Sequence, residues 1–168
     1  ITVAAAANVG YAMNKLVAEF NKTNPDTKVL IILGGSGKLV AQIENSAPYD
    51  IFMSADMKFP QSLYEKKMTT TPPVIYAQGV LAMFSAKELD YSKGINLLKD
   101  TNISKIAIAN PKTAPYGAAA IEAIKNAKTE GIESKFVYAE SISQAVTYAT
   151  TATDIGFIAK SSLYEGNM

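Results

Sequence analysis

The sequence predicts an α/β protein of two lobes, and three observations carry that expectation. Short apolar runs alternate with helical stretches along the chain, the pattern of a largely parallel sheet. Strand-to-helix corners recur at residues 7–9, 34–38, 114–118 and 140–143, two in each half. Between the halves, Thr69-Thr70-Thr71-Pro72-Pro73 breaks the periodic pattern with residues that favour turns. No internal repeat of fixed period accompanies the recurring corners.

Taken in order, Ile1–Ala6 reads as a strand, and residues 9–21 as a helix with Ala12, Leu16, Val17 and Phe20 on one face. Asn24-Pro25-Asp26 turns the chain into Val29-Leu30-Ile31-Ile32-Leu33, a β-branched run that reads as a buried strand. A glycine corner follows, and a helix from Leu39 ends near Asn45-Ser46-Ala47-Pro48. Residues 50–54 form a third strand, with a helix near 60–67 behind it. After the Thr/Pro break, residues 74–84 are a long strand-like run. A segment near 95–98, a strand at 103–109, a helix at 118–127 and a strand at 136–138 come next. Ser141-Ile142-Ser143-Gln144 opens another helix, and Ile155–Ala159 is a short apolar strand. Residues 1–77 are expected to form one α/β lobe and 78–168 the second, with Tyr76-Ala77-Gln78-Gly79 as the crossing. Ligands of open α/β sheets bind beyond the carboxyl ends of the strands, so the four corners mark the expected site.

Composition excludes several function classes. The 168 residues are 48% hydrophobic and 18% charged, ordinary for a globular protein, with a net charge of +1 and no basic run. Nucleic acid is therefore not an expected partner. With neither His nor Cys, imidazole and thiolate metal sites and any His-based triad are impossible. A carboxylate metal site or a Ser–Lys pair stays open. No apolar run approaches the ~18 residues of a membrane span. The opening Ile1-Thr2-Val3-Ala4 goes directly into strand-like sequence, so either no export signal existed or a mature form begins here. The absence of Cys fits a cytoplasmic protein or a disulfide-free exported one.

The corner Gly34-Gly35-Ser36-Gly37-Lys38 is the most informative stretch. Between a strand and a helix, such a corner lets backbone N–H groups converge at the positive end of the helix dipole, an anion site in prospect. Its spacing rejects nucleotide motifs. Aligning Gly37-Lys38 with the Gly-Lys of a Walker loop places Ile32 at the first glycine and Leu39 at the magnesium-binding hydroxyl. The dinucleotide fingerprint fails at Val40, where its third glycine belongs. From this corner alone, an anion cradle and a turn needed only for geometry both remain open.

At these corners the sequence resembles the periplasmic molybdate-binding proteins of ABC transporters, a type II periplasmic binding protein family. The matching text is Ala5-Ala6-Ala7-Asn8, Gly35-Ser36-Gly37-Lys38-Leu39 with Gln42-Ile43-Glu44, and Ala47-Pro48-Tyr49-Asp50-Ile51-Phe52-Met53-Ser54-Ala55-Asp56. It continues with Asn110-Pro111, Pro115-Tyr116-Gly117 and Ile155-Gly156-Phe157, in order over essentially the whole chain. The resemblance implies a two-lobed fold that binds molybdate or tungstate in an interlobe cleft and delivers it to a membrane permease. It also implies a periplasmic or exported, membrane-associated monomer that is not an enzyme and uses no cofactor. Carried over by motif, the oxyanion donors fall on Ala7, Asn8, Ser36, Tyr116 and Ile142, the last through its N–H. The metal is then held only as its oxyanion. Many members have Ser at the Asn8 position, and a pocket Tyr where Ala159 stands here. Members also continue for several more elements, whereas this sequence stops at Gly166-Asn167-Met168. A C-terminally truncated fold, its first lobe lacking a return segment, is the expectation.

The chemistry suits such donors. Molybdate, tungstate and sulfate are fully deprotonated dianions at neutral pH and only accept hydrogen bonds. Monohydrogen phosphate carries a proton, and a donor-only pocket leaves it unsatisfied at ~1–3 kcal/mol, roughly tenfold or more in affinity. An acceptor at the site would reverse that preference, which makes Asp50 and Asp56 the residues to watch; Asp56 alternatively caps the helix behind it. Asn8 is either ligand or N-cap. Lys38, one turn into a helix, is expected in solvent. Met13, Phe20, Phe52, Met53 and Phe84 fit core faces. The rival readings are a sulfate or phosphate receptor of the same fold, an enzyme on a phosphorylated substrate, and an effector-binding domain of a regulator.

Overall fold

The computed structural model describes residues 1–164, and the closing Gly166-Asn167-Met168 lie outside the described residues. The chain divides into two compact units, Ile1–Gln78 and the remainder from Gly79.

In the first unit, β1 (Thr2–Ala6), β2 (Leu30–Gly34) and β3 (Ile51–Met53) form a parallel sheet in the order β2-β1-β3. The β1–β2 register pairs Val3 with Ile31 and Ala5 with Leu33, and β3 pairs Ile51 with Val3. Three helices separate or follow the strands: α1 (Gly10–Asn21), α2 (Ser36–Glu44) and α3 (Lys58–Glu65). The small side chains of β1, Ala4 and Ala5 above all, are fully buried, because the central strand carries helices close on its faces.

Three expectations for this half need correction. The 29–33 run is not a buried strand: β2 is an edge, with Leu30 and Leu33 each 50% exposed. A continuous β-branched apolar run reports β-propensity, whereas burial depends on what the fold places over the edge. The inward face of α1 is also rotated from the expected one. Met13 is buried against Val3 and Ala5, whereas Leu16 and Phe20 are exposed. Finally, residues 74–80 are not strand; only Leu81–Phe84 pairs, and Val74 and Ile75 lie open to solvent.

The second unit has β4 (Leu81–Phe84), β5 (Ile106–Ala109), β6 (Phe136–Ala139) and β7 (Ile155–Ala159) in the order β4-β7-β5-β6. Strands β5, β6 and β7 are parallel, while β4 runs antiparallel to β7, pairing Leu81 with Ala159. The helices are α4 (Pro115–Asn126) and α5 (Ile142–Thr151), with a 3-10 segment at Tyr91–Lys99 that is broken at Gly94. This is the larger core. Ile106 and Ile108 of β5 and Ile155 and Phe157 of β7 pack with Leu97, Leu98, Ile103, Ala120, Ile124 and Ile132. Ala107 and Ile158 meet Ala149 of α5 on the other face. Each fully buried aliphatic side chain stabilises such a core by ~1.5–3 kcal/mol.

The starting edge of this sheet is fastened by one carboxylate. Asp154 Oδ2 accepts from Ser104 N–H (2.9 Å), Ser104 Oγ (2.8 Å) and Lys105 N–H (3.0 Å), and Oδ1 pairs with Lys87 Nζ at 2.5 Å. Its own backbone carbonyl accepts from Ser85 Oγ at 2.7 Å. Lys87 and the Ser104–Lys105 donors hold the Asp154 carboxyl well below the usual carboxylate range against the opposing effect of burial. The ends of β4, β5 and β7 thus meet at a side chain only 14% exposed.

Asp154→Asn should destabilise the protein by ~1.5–3 kcal/mol at neutral pH, measured by urea unfolding. A depressed pKa means that the contribution is complete above about pH 4 and fades as pH falls further. The stabilities of wild type and variant should therefore converge on acidification, as repeating the unfolding at low pH will show.

Candidate functional site

Within each unit, parallel strands bring the corners to one edge of the sheet. At the end of β1 the chain enters a 3-10 turn, Ala7–Val9, before α1. Ala7 is buried and Asn8 half-buried. The position that caps α1 is Val9, without a side-chain cap bond, so Asn8 is not the N-cap of that helix.

At the end of β2, Gly35 is extended (φ −66°, ψ 138°) and Ser36 is the first residue of α2. Ser36 is 1% exposed, and its Oγ accepts the N–H of Ala55 at 3.1 Å. An accepted bond at one lone pair directs the hydroxyl proton elsewhere, which suits a donor. Lys38 is exposed, as expected.

The two carboxylates to watch in this unit, Asp50 and Asp56, both accept bonds from the protein itself. Asp50 Oδ2 accepts the N–H of Thr2 at 2.7 Å, at the starting edge of β1. Five residues of strand, ~16 Å at ~3.3 Å per residue, separate that edge from Ala7. Asp56 Oδ1 accepts from Ser54 Oγ (3.1 Å) and from Phe59 N–H (3.3 Å) in the first turn of α3, the capping role expected of it. Ser54, buried at the end of β3, also accepts the Asp56 N–H at 3.3 Å, and its carbonyl takes the Tyr76 hydroxyl at 2.8 Å. Ser54, Ala55 and Tyr76 were not singled out in the sequence. The only signal there was the Ser-Ala-Asp text; nothing local links it to position 76.

In the second unit, β5 ends in a turn built by Asn110. Its side chain accepts the Lys112 N–H at 3.0 Å, and its carbonyl accepts Thr113 N–H (3.1 Å) and Ala114 N–H (2.8 Å). Pro115 then opens α4. Proline has no N–H, so Tyr116 supplies the first amide donor of this helix. The next two amides, of Gly117 and Ala118, already bond the Ala114 carbonyl at 2.9 and 3.2 Å. Gly117 is required by close approach, since a Cβ there would overlap the Ala109 carbonyl oxygen. The Tyr116 side chain is 8% exposed and its hydroxyl lies against Gly79, where a Cβ would overlap it.

At the end of β6, Ser141 caps α5 by accepting the Gln144 N–H at 3.2 Å, and Gln144 Oε1 takes the Glu140 N–H at 2.7 Å. This reciprocal arrangement resembles a capping box. Ile142 is the first residue of α5, its side chain buried and its N–H in the positive end of the helix. Ala159 is fully buried in β7. Every expected donor thus sits at a strand-to-helix junction: Ala7, Asn8 and Ser36 in one unit, Tyr116 and Ile142 in the other. Among the described residues no group of three or more acidic side chains could hold a metal ion. No helix among them is long and apolar enough to cross a membrane.

These junctions place neutral hydrogen-bond donors at the strand ends of each unit. Residues 1–167 match the family described as bacterial extracellular solute-binding protein, and the chain belongs to that family. It is 36% identical over 168 residues to a molybdate-binding protein of Azotobacter vinelandii, covering 98% of this chain and 66% of that protein. The corresponding protein of Rhodobacter capsulatus is 36% identical over 166 residues, covering 97% and 65%. The solved Azotobacter vinelandii periplasmic molybdate-binding protein superposes with a TM-score of 0.85 at 34% identity, over 95% of this chain and 71% of that one. The type II periplasmic-binding-protein fold is therefore the fold of this chain, which spans about two thirds of the length of these curated relatives.

Gly117→Ala should drive α4 off the end of β5 and cost ~1–3 kcal/mol of stability, as overpacking does. Urea unfolding of the variant beside wild type measures it.

Proposed function

We propose that this chain is the capturing part of an exported molybdate or tungstate receptor, which works as a monomer and hands its cargo to the membrane permease of an ABC transporter. The oxyanion is taken by neutral donors: the amides of Ala7, Tyr116 and Ile142, the Asn8 side chain and the Ser36 hydroxyl. The observation that carries the reading is Ser36, a buried hydroxyl at a helix N-terminus whose oxygen already accepts an amide and whose proton is left to give. The molybdate-binding relatives of Azotobacter vinelandii and Rhodobacter capsulatus suggest the identity of the anion.

Energetics favour the arrangement. An unpaired buried dianion is costly, by tens of kcal/mol in the Born limit. Charge-assisted hydrogen bonds, each about twice a neutral one, offset much of this. Helix N-termini contribute a further ~0.3–2 kcal/mol each. Selectivity follows from the fate of the carboxylates. Asp50 Oδ2 accepts from Thr2 and Asp56 Oδ1 from Ser54 and Phe59, so one oxygen of each carboxylate is engaged within the protein, and the corner residues Ala7, Asn8 and Ser36 offer donors to a ligand that only accepts. Monohydrogen phosphate would bring a proton that these corners do not receive. Release needs no ion pair to be broken, which suits delivery.

Thermal unfolding of the full-length protein against molybdate, tungstate, sulfate and phosphate tests the reading. A ligand at 100 times its dissociation constant should add ~2.7 kcal/mol of stability. Molybdate and tungstate are expected to stabilise. A shift with phosphate or sulfate and none with either metal oxyanion would establish the rival receptor instead. Ser36→Ala should weaken molybdate binding by ~1.5–3 kcal/mol in a calorimetric titration, the worth of a hydrogen bond to charge.

A further inference from the structure

We propose that Tyr76 is a positioning residue that strengthens the Ser36 hydroxyl as an anion donor, acting through a single peptide group; this rests on the oxyanion reading of Ser36. The connection is short. Tyr76 Oη donates to the Ser54 carbonyl at 2.8 Å. The N–H at the other end of the same peptide, that of Ala55, donates to Ser36 Oγ at 3.1 Å. The sequence of donations runs one way, from phenol to carbonyl, from amide to serine oxygen, and from serine proton to ligand.

Such a chain is cooperative. A bond accepted at the carbonyl draws electron density onto that oxygen and leaves the amide proton more positive. The amide then polarises Ser36 Oγ, and its hydroxyl becomes the stronger donor. The benefit is realised only when a negative acceptor is present, because the last link is the one made to charge. Ser36 stands at the first position of α2, where the helix dipole adds in the same direction.

The peptide between Ser54 and Ala55 is held in place for this. Ser54 Oγ donates to Asp56 Oδ1 (3.1 Å) and accepts the Asp56 N–H (3.3 Å), and Asp56 in turn takes the Phe59 N–H of α3. The ring of Tyr76 contributes little to the core: it is 48% exposed, in a segment whose Val74 and Ile75 are more exposed still. The hydroxyl bond to Ser54, rather than apolar burial, is what the residue supplies to this corner. Phenylalanine would keep the ring and lose the first link.

Calorimetric titration of the full-length protein with sodium molybdate, for wild type, Tyr76→Phe, Ser36→Ala and the double variant, tests the proposal. Tyr76→Phe should weaken binding by about 1.3- to fourfold, the ~10–30% by which cooperativity strengthens the Ser36 bond to charge. In the Ser36→Ala background it should leave the residual affinity unchanged, and any fall in the ligand-free unfolding midpoint should be the same in both backgrounds, because the Ser54 carbonyl loses its donor either way. Equal losses of affinity in both backgrounds would overturn the proposal by showing a role independent of Ser36. So would an inert Tyr76→Phe beside a weakened Ser36→Ala, with the oxyanion reading left standing. Undiminished binding by Ser36→Ala would overturn the anion role of Ser36, and the role of Tyr76 with it.

Discussion

Parallel strand pairing is the constraint on which the rest of this molecule depends. Because β1, β2 and β3 run in one direction, as do β5, β6 and β7, their carboxyl ends share one edge of each sheet. Every helix that follows must begin at that edge, and a helix begins with amides that lack intrahelical acceptors. A row of outward N–H groups is therefore a consequence of topology before it is a property of any residue. The residues refine it. Pro115 moves the first amide of α4 to Tyr116, Ser141 settles the start of α5, and Gly35 turns the chain so that Ser36 leads α2.

The opposite edge has the complementary task. Asp50 ties the beginning of β1 to the beginning of β3, and Asp154 ties the beginnings of β5 and β7 to the end of β4. These two carboxylates are used where strands start; near the strand ends stand Asp56, which is turned into α3, and Glu140, which follows β6. In each unit the helices that start at these corners bring the positive ends of their dipoles there. An anion held by such dipoles, as proposed, would escape the deep trap that a lysine or arginine would make.

Much of this was legible in the sequence. The seven strands of the described residues were placed within a few residues, apart from the long 74–84 run, because their apolar runs are short and bounded by Gly, Pro or Asn. The corners were legible for the same reason, and the capping role of Asp56 follows from local spacing. What stayed hidden involves partners distant along the chain. Leu30 and Leu33 look like core until the strand order makes β2 an edge. Leu16 and Phe20 share a helical face by period, but the face that meets β1 is the one with Met13. The antiparallel course of β4 has no signature of its own.

The sequence by itself determined the fold class, the places where strands turn into helices, and the residue types at those turns. These depend on backbone propensity and on contacts within about a turn of helix, which neighbouring residues settle among themselves. Only the tertiary structure decided which strand became an edge, where each carboxylate found its donors, and that Tyr76 reaches Ser36 through the Ser54–Ala55 peptide. Positions 36, 55 and 76 are joined by hydrogen bonds between backbone and side-chain groups, and the backbone partner is the same for every amino acid. No residue type can announce such a bond; folding alone brings its ends within 3 Å or so of each other.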